Sequence, residues 1–132
     1  MGLKLPSISP ELPKIILRVP VGAVFAFHGT LKVLNGIGGF ISYLSALGVP
    51  YPQIVSYLVI ATEFFGGLAL IFGIFARWAT LPLIATMAVA IIKVTGKHGF
   101  NITDNGYEYN MVLIACLVVI LAQGSGKWSI RN

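Results

Sequence analysis

The feature that most limits this fold is one apolar run, Ile54 to Phe75, whose only charge is Glu63. A run of that length and polarity can cross a bilayer as a helix. A carboxylate near its middle costs about 2.5–3.5 kcal/mol on insertion scales. The cost falls only when the group faces the protein interior, finds a partner or takes up a proton. Gly66, Gly67 and Leu70 lie three, four and seven residues after Glu63, so a helix carries them on its face. Two glycines there let another helix approach closely. Glu63 is therefore expected to point into a helix bundle and away from lipid. Two roles stay open for it: a structural hydrogen bond that holds packing, or chemistry at a buried site.

The rest of the chain has the same character. It is 57% hydrophobic and only 10% charged, where a water-soluble domain carries about 25% charged residues. Its 132 residues suit one integral membrane domain, 1–132, of about four spans. The net charge of +5 does not indicate nucleic acid, because the cations sit at the ends of apolar runs and form no patch. They read as topology signals and as anchors for anionic lipid headgroups. Cys116 is the single cysteine, which excludes an internal disulfide and a CxxC motif.

The fold expected is all-α: an integral membrane four-helix bundle with a short interfacial helix between spans one and two. Ser9-Pro10-Glu11 is a helix start, with Ser9 as the cap. The spans are placed at about 13–34, 54–74, 78–94 and 107–122. Arg18 and Lys32 fall inside the first and are expected to snorkel to the two surfaces. Lys14 and Arg18 before an apolar core also resemble a signal peptide, but His28–Lys32 is a poor cleavage region. Pro20 should bend the first helix, since it cannot donate to the Ile16 carbonyl. Gly36, Gly38 and Gly39 break the chain before a short helix built on Phe40, Ile41, Tyr43, Leu44 and Leu47. Lys4, Lys14, Arg18, Arg77, Lys127 and Arg131 fall on one side of such a bundle. Lys32, Lys93 and Lys97 fall on the other, so the positive-inside rule puts both termini in the cytoplasm. Trp78 and Trp128 segregate to the cytoplasmic side, and Tyr43, Tyr51, Tyr57, Tyr107 and Tyr109 to the outer side.

Glu63 is nine residues past Ile54, about 13 Å below the outer surface at roughly 1.5 Å per residue. His28 comes to within a turn of that depth on the first helix. Lys32 reaches down from above, Lys93 enters from the third span and Glu108 from the fourth, and His98 is within range from the loop. Glu63 and His28 are the candidate catalytic groups. Lys32, Lys93 and Glu108 are the candidate quinone- or anion-binding groups. Each also has a plain structural reading: packing for His28, snorkelling for the lysines, a helix-dipole contact for Glu108. Together they suit a quinone head group, proton movement or a small anion. No spacing motif supports a metal site on His28, His98, Glu63 and Glu108, and neither metal nor flavin is expected.

An ordered series of short pieces resembles the DoxX/DoxD family of small membrane proteins. The pieces are Arg18, Gly22, Phe25 and His28-Gly29-Thr30-Leu31-Lys32, then Gly39-Phe40 and Gly48-Val49-Pro50. Glu63-Phe64-Phe65-Gly66-Gly67, Gly73, Arg77, Gly99-Phe100 and Gly106-Tyr107-Glu108 come next. The tail Gly124-Ser125-Gly126-Lys127-Trp128-Ser129-Ile130 is similar to the family's closing Gly-Pro-Gly-Arg-x-Ser-Leu-Asp, with Ser125 for Pro and Arg131-Asn132 for Asp. The resemblance implies a four-helix protein of a bacterial or archaeal cytoplasmic membrane. One branch is similar to the DoxD subunit of thiosulfate:quinone oxidoreductase, which works with a separate DoxA partner.

Three functions are then open. The first is a redox-linked subunit working with the quinone pool. This chain has no clear haem-ligand pair, flavin fold or cysteine pair, so any electron carrier besides quinone would come from a partner. At most the chain would be an oxidoreductase subunit. The second is a non-catalytic accessory or assembly subunit of a larger membrane complex, with other membrane proteins and lipid as its partners. The third is a small transporter or channel, for which four short helices without a repeat offer little.

Overall fold

The computed structural model describes Gly2 and residues 5–131. Lys4, one of the cations assigned to the cytoplasmic side, and Asn132 of the tail lie outside the described residues. The described chain is all-helical: α1 (Glu11–Leu34), α2 (Ile37–Ala46), α3 (Pro52–Phe72), α4 (Ala76–Ala90) and α5 (Glu108–Gln123). A π-helical turn, Ile91–Thr95, and a 3₁₀ turn, Gly96–His98, continue α4.

Local chemistry accounts for the helix ends. The first helix starts one residue later than expected: Pro10, and not Ser9, holds the cap position, where no side chain caps the helix, and Ser9 only accepts the Glu11 N–H at its Oγ (3.4 Å) and the Leu12 N–H at its carbonyl (3.1 Å). The α1 helix continues through Pro20. At Gly36 (φ 96°) the chain turns into α2. Gly73 ends α3 at φ 67°, a conformation that favours glycine. A side chain there would also collide with Arg18 and Ser129.

Among the described residues, three helical segments are long and apolar enough to cross a membrane: Glu11–Leu34, Pro52–Phe72 and Ala76–His98. The sequence places four spans. The fourth, α5, has 16 residues, about 24 Å of helix against a hydrocarbon core of about 30 Å. It is shorter because Gly124 (φ 77°) stops it at one end and the loop before Tyr107 at the other. The third helical segment is longer than expected, because the π and 3₁₀ turns carry it past Val94 to His98.

The four long helices pack antiparallel. α1 and α3 are in register from Gly22 beside Gly67, through Gly29 beside Phe64, to Lys32 beside Glu63. Arg77, at the start of α4, donates to the Ala122 carbonyl near the end of α5, at 3.0 Å. Val21, Phe25, Leu70, Leu83, Leu117 and Ile120 form the centre of the core. Phe27, Phe65, Trp78, Val89, Ile92 and Val118 face outward and are exposed. Such a continuous apolar exterior is solvated by lipid and would be a liability in water. The start of α1 and the C-terminal tail lie at one end of the bundle, where the Lys127 N–H donates to Glu11 Oε2 at 2.6 Å.

The two central glycines do not share one contact. A Cβ on Gly67 would stand 2.5 Å from the Ala26 nitrogen and 2.6 Å from the Gly22 oxygen of α1. One on Gly66 would meet the Leu83 side chain of α4 at 3.2 Å. A helix turns about 100° per residue, so neighbours in sequence point at different helices.

Arg18 does not snorkel to the surface. It is 2% exposed and donates from Nη2 to the Trp128 carbonyl at 2.8 Å, under the C-terminal tail. The tail is stitched across the α3–α4 turn by Phe75 N–H to the Arg131 carbonyl at 2.8 Å and Arg131 N–H to the Gly73 carbonyl at 2.9 Å. A long-range contact of this kind leaves no trace in the local hydropathy of α1.

Candidate functional site

The antiparallel register of α1 and α3 brings Lys32 onto Glu63. Lys32 Nζ lies 2.7 Å from Glu63 Oε2, an ion pair and a hydrogen bond at once. Glu63 is 3% exposed, and Lys32 is partly open. Lys32 Nζ also stands 5.4 Å from the centre of the Phe40 ring of α2, within the range of a cation–π contact. The cost of burying the carboxylate is thus met by a cation that itself reaches a more open position.

The pair lies in the wall of a partly open cavity of about 260 Å³. Phe25, Val59, Met87 and Leu113 provide apolar lining from four helices. Phe40, Tyr43, Leu44 and Leu47 close one side from α2 and the loop after it. The short helix expected at the interface is therefore also a wall of the site. The volume lies just below the usual range for small-molecule pockets of about 300–1,000 Å³. It admits a compact head group with a chain leaving through the open side.

Four of the five candidate residues meet here. Glu63, Lys32, His28 and Lys93 all line the cavity. His28 is exposed at its open side, with its ring centre 6.1 Å from that of Tyr109 at an interplanar angle of 63°. Lys93 comes in on the π-helical turn, along with Val94 and Thr95. Glu108 does not line the cavity. Its Oε1 accepts the Ile102 N–H at 2.9 Å and so ties the outer loop to the start of α5. His98 is exposed on the 3₁₀ turn and does not line the cavity. Among the described residues no three His, Cys, Asp or Glu side chains gather in one place.

Two contributors escape a reading by charge. Tyr109 lines the cavity and meets His28, because it sits one residue, or about 100°, round the helix from Glu108. Its spacing of four from Leu113, another lining residue, is the signal that could have found it. The second is the π-helical turn. Thr95 Oγ1 donates to the Ala90 carbonyl at 3.5 Å, five residues back, and the extra residue in the turn redirects the chain beyond it. No spacing in Ile91–Thr95 announces it. Asn110, 6% exposed, donates from Nδ2 to Met87 Sδ at 3.5 Å and joins α5 to α4 below the cavity.

Comparison with known proteins places this chain in a family. Residues 14–96 match the family model described as DoxX. That segment includes α1 from Lys14 onward, α2, α3, α4 and the π-helical turn, hence Glu63, Lys32, His28 and Lys93. A protein of Haemophilus influenzae, named "Uncharacterized protein", is 27% identical over 131 residues, covering 96% of this chain and 86% of its own. A protein of Bacillus subtilis, named "Putative oxidoreductase CatD", is 29% identical over 115 residues, covering 87% of this chain and 81% of its own. No solved structure matches the chain.

Proposed function

The chain belongs to the DoxX family of membrane proteins, and from that premise we propose that it is a redox-linked membrane subunit whose cavity takes a quinone head group. The carrying observation is the Lys32–Glu63 pair, at 2.7 Å, in the wall of an otherwise mostly apolar pocket. The oxidoreductase name of the Bacillus subtilis relative supports the redox half of the reading. A quinone takes up two electrons and two protons when it is reduced. Lys32 Nζ is a donor for a carbonyl oxygen, and Glu63 both positions that ammonium and offers an oxygen that can hold a proton. His28, at the open side, is a second proton-carrying group. Phe25, Val59 and Leu113 keep water from the head group, which strengthens each polar contact. Electrons come from a partner subunit.

One observation favours the alternative of a non-catalytic accessory subunit. Lys32 and Glu63 already satisfy each other without a ligand, as a purely structural pair would. Quinone retention separates the two readings. Protein purified in mild detergent should carry extractable quinone near one per chain. Leu47→Trp, which fills the cavity from the loop after α2, should lower that by about tenfold, in line with the loss of roughly 1.4 kcal/mol of binding. Equal quinone content in wild type and variant would remove the cavity from the reading.

The proposed orientation has both termini in the cytoplasm and the cavity in the outer half of the membrane. With Cys116 replaced by Ala, cysteines at Ser45 and Ile102 should label with an impermeant reagent added from outside. One at Lys127 should label only after the membrane is opened. All three positions are exposed, so burial does not decide the result. Reversed labelling would overturn the orientation.

A further inference from the structure

At the end of the bundle opposite the cavity, a cleft of about 490 Å³ opens between the start of α1, the start of α4 and the C-terminal tail. Lys14, Arg77 and Lys127 line it, against the single carboxylate of Glu11. Glu11 is already engaged: Oε1 lies 3.5 Å from Lys14 Nζ, and Oε2 accepts the Lys127 N–H. Arg77 gives one Nη2 hydrogen bond to the Ala122 carbonyl at 3.0 Å, and its remaining N–H groups make no other hydrogen bond among the described residues. The cleft therefore holds an excess of positive charge with donors to spare.

An apolar groove of about 430 Å³ starts where this cleft ends. Phe75 and Trp78 line both. From them the groove runs along α3 and α4 past Ala69, Pro82 and Ala61, whose small side chains leave it open. Trp78 is 72% exposed at the junction, the position that aromatic belts take between headgroups and acyl chains. A cationic cleft joined to an apolar channel along a helix pair matches a molecule with an anionic head and a hydrocarbon tail. Free phosphate would use only the cleft, and a neutral lipid only the groove.

We propose that this end of the molecule is a binding site for an anionic phospholipid, with its phosphate among Lys14, Arg77 and Lys127 and one acyl chain in the groove beside Trp78. The site is separate from the quinone cavity and does not depend on the redox reading. It gives the tail a purpose beyond covering Arg18, since Lys127 reaches the cleft only when the tail folds back onto Glu11.

Tryptophan quenching tests it. The chain has two tryptophans, so Trp128→Phe leaves Trp78 as the sole reporter. In reconstituted vesicles, phosphatidylglycerol with brominated acyl chains should quench Trp78 at a lower mole fraction than brominated phosphatidylcholine. The preference should be about fivefold for each cation engaged. Lys14→Gln with Lys127→Gln should cut the preference by about 25-fold, to roughly the fivefold that Arg77 alone supplies. Ala61→Phe, which fills the groove and leaves the cations in place, should weaken the preference several-fold. Equal quenching by the two lipids before any of these changes overturns the proposal, as does a preference that neither set of changes reduces. If inorganic phosphate stabilises the detergent-solubilised protein as well as phosphatidylglycerol does, and Ala61→Phe has no effect, the cleft binds free phosphate and the lipid assignment fails.

Discussion

Glu63→Gln should leave the protein in the membrane at close to its normal abundance while electron transfer to quinone falls by about 100-fold or more, the usual scale for losing a positioned proton-transfer group. Breaking a fully buried ion pair typically costs about 3–5 kcal/mol, because the remaining charge is stranded. Here the stranded charge would be Lys32, which is partly open and already lies over the Phe40 ring. It can turn toward the open side, and Gln can still accept its hydrogen bond, so the structural cost stays below that range. Adding Lys32→Met should not restore turnover. The accessory reading expects the reverse: Glu63→Gln depleted from the membrane, and the double change restoring it. Membrane abundance and quinone reduction, measured together in the native complex, separate these outcomes. Normal abundance with normal turnover in Glu63→Gln would defeat both and make Glu63 an incidental polar residue.

Gly67→Ala should be far more damaging than Gly66→Ala, although the two residues are adjacent. The new methyl at Gly67 would press on main-chain atoms of Ala26 and Gly22, at 2.5 and 2.6 Å. Backbone cannot swing aside, so α1 must move away from α3. The Cβ built on Gly22 meets the Gly67 oxygen at 2.5 Å, so the contact is tight from both sides. Overpacking of this kind costs about 1–3 kcal/mol, and the Lys32–Glu63 pair, held between the same two helices one turn along α3 from Gly67, would be pulled out of register. The methyl at Gly66 meets only the end of the Leu83 side chain, at 3.2–3.4 Å, and a leucine can shift by that little. Its cost should be under about 1 kcal/mol. Gly67→Leu should abolish accumulation, and Gly66→Leu should only reduce it. The midpoint of unfolding in denaturing detergent, read for the two Ala variants, is the measurement. A Gly67→Ala protein as stable as Gly66→Ala would show that α1 and α3 are not packed backbone to backbone.

Much of this protein is set by local sequence. The apolar run from Ile54 to Phe75 requires a helix in lipid, and the glycines after it require a close neighbour. The start of the first helix is legible to within a residue, because Ser9-Pro10-Glu11 precedes the apolar run and Glu11 is its first helical residue. The convergence of Glu63, Lys32, His28 and Lys93 comes from depth, since residues on antiparallel helices of known start and constant rise come to calculable heights. What depth does not contain is azimuth. Whether Glu108 turns to the cavity or to the loop, and whether Gly66 faces α1 or α4, depends on how each helix is rotated about its axis. That rotation is decided by side-chain packing among helices far apart in sequence. Tyr109 takes the place by His28 because α5 is turned to put Leu113 in the core, which leaves Glu108 to the Ile102 N–H. The burial of Arg18 beneath the tail has the same origin. It exchanges a local preference for a contact to the Trp128 carbonyl that exists only once the bundle has closed.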